Sequence, residues 1–375
     1  MKKYTKLDQD FVISTPDGNA IKIINSVGKF ILESLDDGLT EEEISEEISE
    51  IFSLPLAKAS EDIRCFLDQY NQISTLPSSP TTQILEDKKA TAIVPSHFFQ
   101  VAIFPSFSLK LCHEGYESYE LVRPLFQHLE VEFSESFIPD YQLTFQKNKA
   151  QYWEIIYDNN IIFSGKDLDN LSILAISHIL ELAIRKDPYL ILLHASGVSY
   201  NNHSIIFPAI GGSGKSTLCA ALITKGFSYI NDDVIPVAYD SGKLVSLPFC
   251  LGIKQGSWSV LKDYYPEIDE KHVFGRNNLK IKYLSPPFIH YTNKHYQPRF
   301  LVIPHYEEGS PCLLKKTSST NGLKAIIEGE SLMTLPIKDN DIEYLVKWVD
   351  GLDCYKLEYS NLDEAITALT HLISD

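Results

Sequence analysis

Residues Gly211-Gly212-Ser213-Gly214-Lys215-Ser216-Thr217 set small side chains, a lysine and two hydroxyls in an order that suits a polyphosphate. Small residues let successive backbone N–H groups turn inward around an anion, and a helix starting near Ser216 points its positive end at the same place. Lys215 would then reach the β- and γ-phosphates, and the Ser216 hydroxyl would ligate Mg²⁺. Position 209, where this pattern usually carries glycine, is Ala209; a methyl there requires a negative φ. Downstream, Asn231-Asp232-Asp233 brings two adjacent carboxylates. Beside a polyphosphate such a pair divides the labour of phosphoryl transfer: one acid holds the cation and the other takes a proton from an attacking hydroxyl. The sequence leaves the division open, with Asp232 favoured as base and Asp233, with Ser216, as cation ligand. Arg276 and Lys282 lie in the one locally basic stretch of the C-terminal half, where a cation would balance charge on the transferred group.

These residues need a scaffold. Leu192 to Tyr200 and His203 to Phe207 read as two strands joined by an Asn201-Asn202 turn, so an antiparallel hairpin feeds the loop. Leu218 and Leu222 give the following helix an inward face, and Gly226 is placed to end it. Phe227 to Ile230 is a strand that delivers the acidic pair at its end. Further upstream, a helix over about Leu171 to Lys186 follows a run of short strands between Val94 and Phe163.

The first 76 residues form a pattern of their own. Phe11-Val12-Ile13 and Ile21 to Ile24 alternate as strands across a Thr15-Pro16-Asp17-Gly18-Asn19 turn. Three helices follow: one capped by Asn25 or Ser26, one opened by a Thr40/Glu43 capping box, and one carrying Ile63, Phe66, Leu67 and Tyr70 inward. A hairpin with three helices is a winged-helix arrangement. Residues 1–76 hold about 7 basic and about 15 acidic side chains, the wrong balance for entering a nucleic-acid groove. The segment resembles PqqD-type domains, the leader-peptide recognition elements of ribosomal peptide modification pathways. Asn25, Gly28 and Ile31, Leu35-Asp36-Asp37-Gly38, Thr40 with Glu43-Ile44, Asp62-Ile63 and Phe66-Leu67 carry that resemblance. It implies that an extended peptide adds as a strand along Ile21, Lys22, Ile23 and Ile24 and is flanked by the third helix with Arg64. A strand edge with unpaired N–H and C=O groups is physically suited to that.

His194, the hairpin, the glycine-rich loop and Asp232-Asp233 together resemble the HPr kinase/phosphorylase family, and in particular its relatives in peptide natural-product pathways, including lasso-peptide kinases. The resemblance implies an α/β (overall α+β) chain. It would comprise a PqqD-like unit (1–76), a linker (77–90), a β-rich accessory region with a connecting helix (91–188) and an HPr-kinase-like mixed-sheet catalytic domain (189–375). It also implies that His194 lines the transfer site, that ATP or another nucleoside triphosphate is the donor with Mg²⁺, and that the acceptor is a serine or threonine hydroxyl of a precursor peptide. Relatives of this kind are often homo-oligomers. Two other readings stay open: a nucleotide-gated module that delivers a peptide without modifying it, and activation of the peptide through a transient phosphate.

Composition narrows the setting. The 375 residues carry a net charge of −17, which repels nucleic acid and acidic lipid. No apolar run approaches a membrane span. Six scattered cysteines without a Cys-x-x-Cys pair and no secretory segment read as reduced thiols in the cytoplasm.

Overall fold

The computed structural model describes residues 3–71, 95–134, 136–208, 210–276, 279–287 and 294–374. The expected linker 77–90 and Ala209 lie outside the described residues. The architecture is mixed α/β, with helices packed on several sheets.

At the N-terminus, β1 (Thr5–Leu7), β2 (Asp10–Ser14) and β3 (Ile21–Ile24) form an antiparallel sheet, followed by α1 (Ser26–Asp36), α2 (Glu41–Phe52) and α3 (Leu56–Asn71). Asn25 caps α1, and Thr40 and Glu43 make the reciprocal capping box of α2. The hairpin and three helices match the sequence reading; β1 does not appear in it, because three residues with one buried side chain leave no period to detect.

That small sheet is buried on both faces. Ile13 and Ile24 pack into the helices with Ile31, Ile44 and Ile63. The alternate residues Val12, Ile21 and Ile23, with Leu7, pack instead against the C-terminal half. Strand alternation sends successive side chains to opposite faces, so the unit sits on the rest of the protein rather than standing apart from it.

The next region carries β4 (Phe98–Ile103), β5 (Ser108–His113), α4 (Tyr116–Phe126), β6 (Tyr141–Lys147), β7 (Trp153–Tyr157), β8 (Asn160–Gly165) and α5 (Leu168–Ile184). Its strands lie in sequential order, antiparallel except for the parallel β5–β6 pair, and α4 and α5 help bury one apolar core.

From there the chain builds β9 (Tyr189–Leu193), β10 (Ala195–Tyr200), β11 (His203–Pro208), α6 (Lys215–Thr224), β12 (Ser228–Asn231) and β13 (Ile235–Ala238). Then come β14 (Leu244–Val245), β15 (Leu251–Lys254), α7 (Trp258–Leu261), β16 (Phe274–Arg276), β17 (Leu279–Leu284), β18 (His295–Tyr296), β19 (Pro298–Tyr306) and β20 (Leu313–Lys316). The fold closes with α8 (Ser319–Glu328), β21 (Leu332–Met333), α9 (Asp339–Asp350), β22 (Asp353–Tyr359) and α10 (Leu362–Ser374).

The main sheet runs β12-β10-β11-β19-β22-β20. β10 and β11 are the expected antiparallel hairpin, turning at Asn201 and Asn202 with φ of 49° and 64°, the left-handed pair a tight hairpin requires. β11 is also flanked in parallel by β19, and β19 by β22. A Cβ on Gly197 of β10 would stand 2.6 Å from the tip of the Ile235 side chain, so a larger residue there would make Ile235 shift.

The N-terminal unit is tied to this core by specific bonds. Asp8 Oδ2 accepts from the backbone N–H of Thr320 at 2.7 Å and from its hydroxyl at 2.8 Å, in the first turn of α8. The Ile337 N–H donates to the Gly18 carbonyl at 2.8 Å, and Lys3 pairs with Glu343. Asp8→Ala is expected to cost about 1 kcal/mol, the usual effect of losing a helix-capping carboxylate, read as a lowered midpoint in urea unfolding.

Candidate active site

β11, β12, β19 and β22 all end at one edge of the main sheet, and β10 begins there. Every chemical residue picked from positions 194 to 233 is gathered at that edge.

The loop after β11 turns through Gly212 and Gly214, with φ of 92° and 93°, values that glycine adopts without strain. Gly214 caps α6 without any side-chain bond. The first N–H groups of the helix therefore point outward unclaimed by a cap. The Ser213 hydroxyl is buried without a hydrogen-bond partner. Cβ atoms placed on Gly211 and Gly212 would meet nothing within 4 Å. The loop is thus open above Gly211 and Gly212 and leads into an uncapped helix N-terminus, which suits an anion.

Lys215, first residue of α6, is 7% exposed, and its ammonium donates to the Ile210 carbonyl across the loop at 3.3 Å. Burial lowers its pKa, against the pull of Asp232 and Asp233. Lys254, at the end of β15, adds a second positive charge close enough to act on Lys215. Thr217 faces away, its hydroxyl donating to Ser257 at 2.7 Å.

The two carboxylates are treated differently. Asp232 is buried; its Oδ1 accepts from the Ser216 hydroxyl at 3.0 Å and from the Ser196 hydroxyl of β10. Burial pushes its pKa up to about 6, opposed by those hydroxyls and by Lys215. Asp233 has a side chain 77% exposed and a backbone φ of 80°. A non-glycine residue in that region is uncommon and recurs at functional sites. The Asn231 amide, bonded to the Val234 carbonyl, closes the turn that holds it.

His194 immediately precedes β10. Its Nδ1 lies 2.8 Å from the Gly329 carbonyl, just beyond α8, and its backbone N–H donates to the Ser331 hydroxyl at 3.1 Å. A carbonyl can only accept, so Nδ1 carries a proton and Nε2 is turned toward Asp233 Oδ1 at 3.2 Å. The bond to Asp233 raises the His194 pKa, and burial opposes it. Removing the carboxylate leaves burial in command. In Asp233→Asn the His194 pKa should therefore fall toward and below the ordinary imidazole value, which NMR titration of its ring protons would read.

Two placements differ from the sequence expectation. Ser216 is hydrogen-bonded to Asp232, not to Asp233, and Asp233 lies beside His194. Lys282 is buried in β17 and spends its ammonium on the carbonyls of Ile268 and Asp269, at 2.7 and 3.2 Å, beneath the Trp258 ring. It braces the 266–270 turn, whereas the sequence expectation has it balance charge on the transferred group. Arg276 pairs through its backbone with Leu279; its side chain, with Asn277 and Asn278, lies outside the described residues. Sequence reasoning missed Ser196, Lys254 and Gly329. Ser196 sits within an ordinary strand, Lys254 is one exposed lysine among many, and a carbonyl has no residue signature.

On the N-terminal unit, β3 pairs only with β2 among the described residues, so its outer edge is the sheet margin. Lys22 donates to the Gln69 carbonyl of α3 at 3.3 Å. Gln69 in turn lines an open groove of about 470 Å³ along α3 with Arg64, Ser60, Glu61 and Asp68. Ile21 and Ile23 face the core and Ile24 the helices. The peptide reading therefore concerns their backbone edge, not their side chains.

Among the described residues, no three His, Cys, Asp or Glu side chains converge as a ready metal cage, and no helix is long and apolar enough to cross a membrane.

Fold and site together define a mixed α/β protein with a glycine-rich strand–loop–helix at the edge of its main sheet. The chain matches no protein-family model, and no curated protein matches it. Among solved structures it is similar to the Hpr(Ser) kinase/phosphatase from Coxiella burnetii, with 13% sequence identity and a TM-score of 0.23, over 48% of this chain and 96% of that one.

Proposed function

We propose that this protein transfers a phosphoryl group from a nucleoside triphosphate, ATP in the first instance, to a serine or threonine hydroxyl of a ribosomal precursor peptide held through its leader on β3. The observation that carries this reading is the convergence of Lys215, Ser216, Asp232 and the Asp233–His194 pair at one sheet edge.

The residues fit a polyphosphate and a hard divalent cation. Open space over Gly211 and Gly212, the unpartnered Ser213 hydroxyl and the N-terminus of α6 suit the phosphates. One carboxylate and one hydroxyl are a sparse cage, but Mg²⁺ is normally held by one or two carboxylates together with phosphate oxygens and water. Ser216 and Asp232 would hold it, and when bound it would neutralise charge on the transferred group.

The chain's own residues do the rest. Lys215 draws the phosphates into the loop. Asp233, exposed and oriented by His194, takes the proton of the acceptor hydroxyl. The acceptor oxygen bonds to phosphorus as the bond to the nucleoside diphosphate leaving group breaks, and His194, when protonated, adds positive charge beside the transferred group. Capture of the leader at β3 raises the local concentration of acceptor, so the cleft need grip only a few residues.

The test is to incubate the full chain with ATP, Mg²⁺ and the precursor peptide encoded beside its gene, then measure intact peptide mass. A phosphate-sized increase that disappears with Lys215→Ala is expected. No mass change with any nucleotide would overturn the reading in favour of a delivery module.

A further inference from the structure

We propose that the ring of Tyr306 is the shelf on which the base of the nucleotide donor stacks, and that it makes the protein prefer a nucleoside triphosphate to a bare polyphosphate. This rests on the reading of residues 211–217 as the phosphate site.

The argument is one of direction. Asp232 and Asp233 follow β12, which lies on one side of β11 in the main sheet; β19 and β22 lie on the other side. A triphosphate lying in the loop with its reacting end toward the acids can extend its other end toward β19 and β22. Those strands end in aromatic residues. Tyr306 closes β19 and Tyr359 closes β22, and the two are cross-strand partners.

Their environments differ. Tyr359 is 1% exposed, and a Cβ built on Gly214 would fall 2.5 Å from its hydroxyl, so Tyr359 supports the loop from beneath. Tyr306 is 48% exposed, although its own Cβ lies 3.6 Å from that same point. Its side chain therefore starts at the wall of the loop and continues into solvent. The two rings meet at 75° with centroids 5.8 Å apart, an edge-to-face contact that holds the outer ring against the inner one. A large aromatic fixed in place and half bare beside an anion site is a stacking platform. Stacking is tolerant of base identity because every base has a π-face, so the discrimination is between a base and none.

Calorimetric titration of the full chain in Mg²⁺ buffer with ATP and with inorganic tripolyphosphate tests this. Tyr306→Ala is expected to weaken ATP about tenfold, within the range of aromatic–base stacking, and to leave tripolyphosphate unchanged, which also reports that the variant is folded. Tyr306→Phe should bind ATP as the wild type does. Unaltered ATP affinity in Tyr306→Ala, an equal loss for both probes, or wild-type protein that binds both probes equally well would each overturn the proposal. If the wild type binds neither probe, the phosphate-site reading itself fails and the stacking shelf falls with it.

Discussion

Asp233→Asn is expected to lower kcat by about 10²–10⁴-fold, the range over which a positioned general base acts, while leaving ATP affinity close to that of the wild type. Asparagine is the informative replacement because it also tolerates positive φ, and Asp233 has φ of 80°. Turn geometry is thereby kept, while the proton acceptor is removed together with its support of the His194 charge. Binding should survive because Asp233 stands outside the 211–217 loop and the contacts of Ser216 and Lys215 go to Asp232 and Ile210. Initial-rate kinetics on the peptide substrate, with ATP affinity measured separately, decide the point. A variant with undiminished kcat would show that another group, Asp232 first, takes the proton.

Asp232→Asn should move stability and activity in opposite directions. Burial pushes the Asp232 carboxyl up to about 6, above its value in an unfolded chain. Its contribution to stability is therefore fully present below about pH 4 and is lost as pH rises through 6. At pH 8 the buried charge costs on the order of 2–3 kcal/mol. Asparagine removes that charge yet keeps an Oδ1 to accept from Ser196 and Ser216. The variant should thus melt several degrees above the wild type at pH 8, with the gap closing toward pH 4. In the transfer assay it should lose most of its Mg²⁺-dependent rate, because the carboxylate suited to the cation is gone. Equal melting temperatures at pH 8 would show that the Asp232 carboxylate carries no such cost in the folded protein. Tension of this kind is common where function needs a group that the fold alone does not favour.

The geometry also links the two ends of the proposed chemistry. Asp8 binds the first turn of α8, and the Gly329 carbonyl just past the same helix holds His194. One helix therefore runs from the N-terminal unit to the histidine beside Asp233.

Much of this protein is local and can be read from its residues alone. Gly212 and Gly214 announce their positive φ, the Asn201-Asn202 turn its hairpin, Thr40 and Glu43 their capping box, and Gly226 the end of α6. In each case the physics is confined to a few consecutive residues. The mixed α/β architecture, the antiparallel feed into the loop and the gathering of acids after β12 follow from such signals in succession.

Tertiary structure alone decided the rest. Whether Asp232 or Asp233 faces Ser216 depends on the pairing of β12 with β10, which turns one carboxylate into the core and leaves its neighbour in water. Lys282 looks like a site cation until β17 carries it beneath Trp258 and onto two carbonyls. Ser196, the Gly329 carbonyl and Tyr306 reach the site from β10, the end of α8 and β19, segments far apart in the chain. Sequence determined which chemical groups are present and which short geometries they adopt. Burial and strand pairing determined their partners, because both arise from non-local packing that no window of consecutive residues contains.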